Sequence, residues 1–279
     1  MSMPFFRPGD DPGANFPDLL RRVGLNPEQP MIDALGRHSH ADVASSLGVP
    51  HATTCVALRY DGGVVMAGDR RATSGNLISH RTMEKVVQAD RHSGVAIAGA
   101  AGPAMEMIRL FQLQLEHYEK VEGSALSLEG KANQLSMMVR SNLPAAMQGM
   151  VVVPIFAGYD LRREIGRLWD FDATGGRYEE RDYVATGSGS LHAGTVVKVG
   201  FRPDMSRDDA VDLAARSLWE AADADSATGG PDVRRGIYPV VATIDAEGWQ
   251  RLDDTDLAAR YERIVADLAP VSADGEATS

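Results

Sequence analysis

The sequence has little cysteine, a deficit of positive charge and no long apolar run. Cys55 is the single cysteine, which excludes an internal disulfide and a cysteine-based metal cluster and favours a reducing cytoplasm. The formal net charge of -11 argues against a nucleic-acid or anionic-membrane surface, because such surfaces need clustered Lys and Arg. The apolar stretches fall short of the roughly 20 residues that a membrane helix requires. We therefore expect a cytoplasmic protein that binds neither nucleic acid nor membrane.

Several sequence motifs are also missing. No nucleotide-binding P-loop pattern occurs, and the seven histidines show no paired spacing typical of metal ligands. The N-terminal stretch MSMPFFRPGDDPG lacks a basic region followed by an apolar run, so we expect no secretory signal. The chain is long and rich in apolar residues. Its 279 residues, of which 44% are hydrophobic, can bury a large core. One domain with additional segments is the expectation.

Residues 1–52 differ in character from the rest of the chain. Their opening is rich in Pro, Gly and Asp, and their short apolar groups support only marginal helices. Such a segment is either a disordered tail or a removable propeptide, and composition does not choose between the two.

From Thr53 onward, strand patterns and helix patterns alternate in groups. Alternating residues on both sides of Asp61-Gly62-Gly63 predict a hairpin, and the next two apolar runs suggest that four strands form one antiparallel sheet. The predicted strands are 53–60, 64–68, 86–87, 95–100, 151–158, 166–171, 178–185, 238–245 and 249–253. The predicted helices are 102–118, 128–143, one from about 190, 207–222 and 257–268. This grouping predicts an α+β fold with helices packed on sheets.

The first predicted hairpin and the segment after it carry a candidate active site. If the bond between Ala52 and Thr53 were cut, Thr53 would hold a hydroxyl nucleophile and an α-amine base in one residue. Lys85 would favour an ionised threonine oxygen, and Asp69 would hold the lysine in place. In an intact chain, the same residues would be an ordinary strand threonine and a structural Asp-Lys bridge.

Six motifs then occur in a specific order over nearly the whole region after residue 52. They are Thr53-Thr54 before a strand, Gly68-Asp69-Arg70-Arg71-Ala72-Thr73, Lys85, Ala98-Gly99-Ala100-Ala101-Gly102, Thr186-Gly187-Ser188-Gly189-Ser190 and Asp225-Ser226-Ala227-Thr228-Gly229-Gly230. In this order, they resemble the β subunit of the proteasome core particle, especially its bacterial form in actinobacteria.

The resemblance implies an N-terminal-nucleophile hydrolase with a four-layer αββα sandwich, in which two antiparallel sheets are flanked by helices. Residues 1–52 would be a propeptide removed by autocatalytic cleavage between Ala52 and Thr53, leaving 53–279 as the catalytic domain with a short flexible C-terminal tail. The activity implied is that of a threonine endopeptidase. The implied catalytic set is Thr53 as nucleophile, Asp69 and Lys85 completing a triad, the Gly99 N-H as oxyanion donor, and Ser188, Asp225 and Thr228 around the N-terminal amine.

The resemblance also implies a substrate pocket, and the sequence departs from the family pattern at three positions. The pocket residues are small or apolar for the most part and predict cleavage after hydrophobic residues; they are Ala72, Thr73, Met83, Ile97, Ala101 and Met105.

Thr228 stands where serine is usual in the family, and its hydroxyl can form the same hydrogen bonds. Ala52 stands where the family usually has glycine, which predicts slow processing. Cys55 replaces an aliphatic residue and is the alternative nucleophile, although cleavage before it would leave Asp69 and Lys85 out of register.

The partners implied are proteasome α subunits, other β subunits in stacked heptameric rings, and an ATP-dependent unfoldase ring. Substrates would be unfolded proteins that carry a ubiquitin-like tag. We expect no cofactor and no metal. Two alternatives remain, an unprocessed structural β subunit and a standalone amidase with the same nucleophile fold.

Overall fold

The computed structural model describes residues 53–74 and 77–268, so the predicted propeptide and the C-terminal tail lie outside the described residues. Within this part of the chain, two five-stranded sheets and one short two-stranded sheet are present. The strands are β1 (Thr54–Tyr60), β2 (Gly63–Gly68), β3 (Ala72–Ser74), β4 (Leu77–His80), β5 (Val86–Asp90), β6 (Ser93–Gly99), β7 (Val152–Asp160), β8 (Ile165–Phe171), β9 (Arg177–Glu180), β10 (Tyr183–Gly187), β11 (Val240–Asp245) and β12 (Gly248–Arg251).

Helices follow the strands in three groups, after β6, after β10 and after β12. They are α1 (Ala101–Glu122), α2 (Leu128–Ser141), α3 (Leu143–Ala146), α4 (Ser190–Gly200), α5 (Arg207–Ala224) and α6 (Asp254–Leu268), with a short 3-10 helix at Val233–Arg235. In the described part of the chain, no helix is both long enough and apolar enough to cross a membrane.

The first sheet has the strand order β10-β1-β2-β11-β12, and all of its pairs are antiparallel. Its centre is the predicted hairpin of β1 and β2, which turns at Asp61-Gly62, where Gly62 has a φ of 98° that favours glycine. Cys55 lies opposite Gly68 in this hairpin. Because of that register, the residues just before β1 and just after β2 lie beside each other.

The second sheet has the order β5-β6-β7-β8-β9 and is also antiparallel throughout. The four strands predicted to form one sheet are therefore divided, with β1 and β2 in the first sheet and β5 and β6 in the second. The reason is that both faces of these strands are covered, so their apolar runs pair equally well in either sheet.

Three buried clusters fill the spaces between the layers. One lies between the sheets and includes Cys55, Ala57 and Met66 from the first sheet with Ile155 and Leu168 from the second. The other side chains of β1 point to the opposite face of the sheet, where they form a second cluster with α4, α5 and α6. A third cluster joins α1 and α2 to the second sheet. The order helices, sheet, sheet, helices confirms the predicted four-layer αββα sandwich.

One predicted strand is wrong in extent. The run 178–185 contains the end of β9 and most of β10, which belong to different sheets. Tyr183 pairs with Leu58 in the first sheet, whereas Glu180 pairs with Leu168 in the second. The polar pair Arg181-Asp182 is the crossing point, and the β-prone residues on both sides of it conceal the break.

Candidate active site

The hairpin register brings the start of β1 to the end of β2. The backbone N-H of Thr54 donates to Asp69 Oδ1 at 2.9 Å, and the Asp69 N-H donates to the Thr54 carbonyl oxygen at 3.1 Å. Thr53, which comes immediately before the strand, is 3% exposed. The predicted nucleophile and the predicted carboxylate are thus held within one local set of backbone contacts.

Asp69 and Lys85 form a buried ion pair. Lys85 Nζ donates to Asp69 Oδ1 at 2.7 Å, and the side chains are 2% and 0% exposed. Asp69 Oδ2 also accepts from the backbone N-H groups of Arg71 at 2.9 Å and Gly229 at 3.0 Å, while Lys85 Nζ donates to the Arg71 carbonyl oxygen. Removing one partner of a buried ion pair is costly, so these bonds fix the lysine and the carboxylate together.

A small cavity joins the predicted nucleophile, the lysine and the end of β6. Thr53, Lys85 and Gly99 all line it. Gly99 has a φ of 110°, and a Cβ there would lie 2.0 Å from the Val151 carbonyl oxygen, so no larger residue fits. The remaining lining residues are Ala72, Met83, Ile97, Ala98, Ala101 and Ala104.

Four of the six predicted pocket residues therefore surround this cavity, and two do not. Thr73 lies on β3 beyond the lining, and Met105 packs against the buried cluster that joins α1 and α2 to the second sheet. Ala98 and Ala104 also line the cavity and were not predicted from the sequence. Ala104 lies three residues after Ala101 on α1, a spacing that places both on one helix face.

A second group of side chains surrounds the carbonyl group of Thr53. Ser188 approaches the Thr53 carbonyl oxygen with its N-H at 2.8 Å and its Oγ at 3.3 Å. Ser188 Oγ and Thr228 Oγ1 each lie 2.6 Å from Asp225 Oδ2, to which they donate. The structure thus gathers these three predicted residues at one place beside Thr53.

The pKa of Asp225 lies below its ordinary value. Partial burial opposes ionisation, but hydrogen bonds from the Ser188 and Thr228 hydroxyls and from the Ala227 N-H outweigh it. The carboxylate therefore remains an acceptor at neutral pH, and both hydroxyl protons are directed toward it.

Two glycines, Gly187 at the end of β10 and Gly189 just before α4, permit the close contact with Thr53. Gly187 has a φ of 100°, and a Cβ there would lie 1.9 Å from the Thr53 carbonyl oxygen. At Gly189 a Cβ would lie 2.4 Å from Thr54 Oγ1. Their alternation with serine in Thr186-Gly187-Ser188-Gly189-Ser190 is a sequence signal of this close backbone approach.

Cys55, the alternative nucleophile, has the wrong environment for that role. It is 0% exposed, and its Sγ is 3.7 Å from the Ile97 carbonyl oxygen. Burial raises the pKa of its thiol to about 12, with the nearby Lys85 charge opposing and the Asp69 charge adding to the rise. A thiol in this environment stays protonated and functions as a small core residue.

The geometry suits nucleophilic acyl transfer. A buried hydroxyl, a lysine bound to a carboxylate and a glycine at the edge of one cavity suit such a reaction. The cavity walls are alanine, isoleucine and methionine side chains, which offer contact to apolar groups.

Comparison with known proteins gives a consistent result. A family model described as "Proteasome subunit" matches residues 49–233. A protein named "Proteasome subunit beta" from Acidimicrobium ferrooxidans is 57% identical over 270 residues, covering 96% of this chain and 93% of its own length. Proteins of the same name from Acidothermus cellulolyticus and Streptomyces griseus are 57% and 56% identical, and they cover 78% and 79% of this chain and 77% and 79% of their own lengths.

Proposed function

The chain belongs to the proteasome subunit family as a β subunit, and we propose that it is a threonine-type endopeptidase with Thr53 as its nucleophile. The observation that carries this proposal is the shared cavity of Thr53, Lys85 and Gly99, with Asp69 bound to the lysine. Ser188, Asp225 and Thr228 support it from the opposite side of Thr53.

In this proposal, residues 1–52 are a propeptide, and the chain cleaves itself between Ala52 and Thr53. Cleavage frees the α-amine of Thr53, whose ordinary pKa of ~7.7 to 8.0 suits a general base near neutral pH. The contacts of Ser188 with the Thr53 carbonyl oxygen hold the new terminus in place.

The first chemical step is acylation. A base takes the proton of the Thr53 hydroxyl, and the two groups that qualify are the Thr53 α-amine and Lys85 Nζ. The oxygen attacks a peptide carbonyl carbon, and the Gly99 N-H stabilises the resulting oxyanion. The carbon-nitrogen bond then breaks, the proton passes to the leaving amine, and an ester joins the substrate to Thr53.

The second step is hydrolysis. A water molecule gives a proton to the same base and attacks the ester carbonyl, again with its oxyanion at the Gly99 N-H. The ester bond breaks, the threonine oxygen regains its proton, and the peptide leaves as a carboxylic acid. Throughout both steps Asp69 keeps Lys85 in position. With the α-amine as the base, the lysine stays charged and favours the ionised threonine oxygen.

Membership of the family implies assembly into a proteasome core with α subunits. We propose further that the assembly consists of stacked heptameric rings and works in the cytoplasm with an ATP-dependent unfoldase ring. Its substrates would be unfolded proteins marked with a ubiquitin-like tag. The net charge of -11 agrees with protein substrates rather than nucleic acid.

Replacing the nucleophile tests the proposal. Thr53→Ala, produced together with the α partner, should lose peptide hydrolysis and should retain the full-length mass, because the hydroxyl serves both reactions. Thr53→Ser is the matched control, since it keeps a hydroxyl and should keep both reactions at a lower rate. Intact-mass measurement and hydrolysis of fluorogenic peptides provide the readouts. Peptidase activity in assembled Thr53→Ala above the level of a mock purification would show that the assignment is wrong.

A further inference from the structure

Thr54 lies between the two groups of side chains that surround Thr53. It is the first residue of β1 and is 0% exposed. Its backbone is bound to Asp69 in both directions, by a 2.9 Å bond from its N-H and a 3.1 Å bond to its carbonyl oxygen. Through Asp69, the backbone of Thr54 is connected to Lys85.

The side chain of Thr54 makes the connection to the other group. Its Oγ1 accepts from the Gly189 N-H at 3.0 Å and lies 2.6 Å from Thr228 Oγ1. Gly189 directly follows Ser188, and Thr228 donates to Asp225. A single buried hydroxyl therefore touches both segments that hold the Ser188 and Asp225 side chains.

The direction of these bonds follows from counting protons. Thr228 has one hydroxyl proton, and the carboxylate of Asp225 can only accept, so that proton is directed to Asp225 Oδ2. The 2.6 Å contact between the two threonine hydroxyls then requires Thr54 to be the donor. The result is an ordered chain from Thr54 through Thr228 to Asp225, in which each donation strengthens the next.

We propose that Thr54 is a positioning residue for the reaction: its hydroxyl fixes the Ser188-Asp225-Thr228 group relative to the Asp69-Lys85 pair. The inference rests on the proposed function, because the two groups act on Thr53 together. Thr54 does not line the cavity beside Thr53, so it acts through its neighbours and not on the substrate.

Thr54→Val is the direct test, since it keeps the branched shape and removes the hydroxyl. It leaves the Gly189 N-H without its acceptor and Thr228 Oγ1 without its donor. We expect kcat per processed subunit to fall roughly ten- to a hundredfold with little change in KM, because a lost bond to a buried polar group costs about that factor.

Thr54→Ser is the matched control because it retains the hydroxyl and loses only a methyl group. Normal kcat in Thr54→Ser with a reduced kcat in Thr54→Val supports the proposal. Equal losses in both variants, or an unchanged kcat in Thr54→Val, overturn it. Both variants are measured in the assembled particle, with intact mass giving the processed fraction.

Should Thr54→Val fail to assemble, Thr54→Ala removes the same hydroxyl with a smaller side chain and leaves Thr228 and Asp225 unchanged. Thr54→Ala should lower kcat relative to Thr54→Ser, and a normal kcat in assembled Thr54→Ala overturns the proposal. The Thr53→Ala result distinguishes failure of the positioning role of Thr54 from failure of the proposed function. If Thr53→Ala is inactive and Thr54→Val is normal, the positioning role fails while the proposed function stands.

Discussion

The thiol of Cys55 lies close to Lys85 and yet is held in its unreactive form. Because burial raises its pKa to about 12, the thiol stays protonated near pH 8. An ordinary exposed cysteine with a pKa of about 8.5 would be partly ionised under the same conditions. Chemical inertness of this residue is therefore a direct consequence of its position between the sheets.

We predict that a thiol-specific reagent does not label the native protein near pH 8 and labels Cys55 after denaturation. Cys55→Ala is the control, because it removes the only thiol and should show no labelling in either state. The extent of labelling is measured by intact mass. Rapid modification of the native protein would contradict the burial of Cys55.

Peptide preference is the second prediction at the scale of residues. The cavity beside Thr53 is lined by apolar side chains apart from Thr53 and Lys85 themselves. A carboxylate before the scissile bond would lose its hydration there, so we expect kcat/KM for apolar residues to exceed that for acidic residues by roughly tenfold or more. Fluorogenic peptides that differ only at this position provide the measurement. Equal rates would contradict the assignment of the pocket.

The sequence predicted which residues meet at the site better than it predicted their contacts. Thr53, Asp69, Lys85 and Gly99 belong to motifs whose order was recognisable, and the structure brings them together. Thr54 stands in the first of these motifs, but no role for its hydroxyl was predicted, because a threonine in a strand is what β propensity alone would select. Its contact with Thr228 joins positions 174 residues apart and depends on the packing of β1 against the segment after α5.

At the scale of elements, the last helix is attached by a charged cluster. Arg260 on α6 is 8% exposed and binds Asp208 and Asp212 on α5 at 2.7 and 2.6 Å, together with Asp256 on its own helix at 3.1 Å. The hydrogen bond from Arg260 lowers the pKa of Asp208, although partial burial opposes the shift. The arginine thus joins two helices that also share apolar contacts through Leu257 and Tyr261.

We predict that Arg260→Met lowers the free energy of unfolding by about 1 to 3 kcal/mol, because charge-assisted bonds across the helix pair are lost. Arg263→Met is the matched control on the same helix. Arg263 is 63% exposed and contacts Asp212 at 3.7 Å, so its loss should cost less than about 1 kcal/mol. Urea unfolding of both variants gives the comparison, and equal effects would contradict the role of Arg260.

The effect should depend on pH in a defined direction. The lowered pKa of Asp208 contributes stability above its usual value of ~3.9, and this contribution is lost as the pH falls through the lower folded value. The difference between the wild type and Arg260→Met should therefore shrink below about pH 4.

The sequence patterns did not reveal the short two-stranded sheet of β3 and β4. β3 and β4 are short, and β4 is exposed along its length, so neither has an apolar pattern to reveal it. The long helices α1 and α5 were predicted well, because an apolar stripe at helical spacing needs no knowledge of its partner. Which sheet a buried strand joins, by contrast, is decided by tertiary packing.

At the scale of the whole molecule, particle size and chain mass distinguish the three candidate functions. We predict that the protein, purified with its α partner, elutes as a very large particle whose β chains have lost residues 1–52. A large particle with full-length, inactive chains would indicate a structural subunit. A small active oligomer would indicate a standalone amidase. Gel filtration, intact mass and peptide hydrolysis on the same fractions make the comparison.

Among the described residues, the four groups that donate to Asp69 come together only in the folded chain. They come from Thr54 in β1, Arg71 after β2, Lys85 before β5 and Gly229 after α5, so they span both halves of the chain. A nascent chain that has formed only the first hairpin has neither the lysine nor the final loop in place. Under the proposed function, such a chain is unable to cut proteins during its own synthesis, and hydrolytic competence arrives only with the completed sandwich.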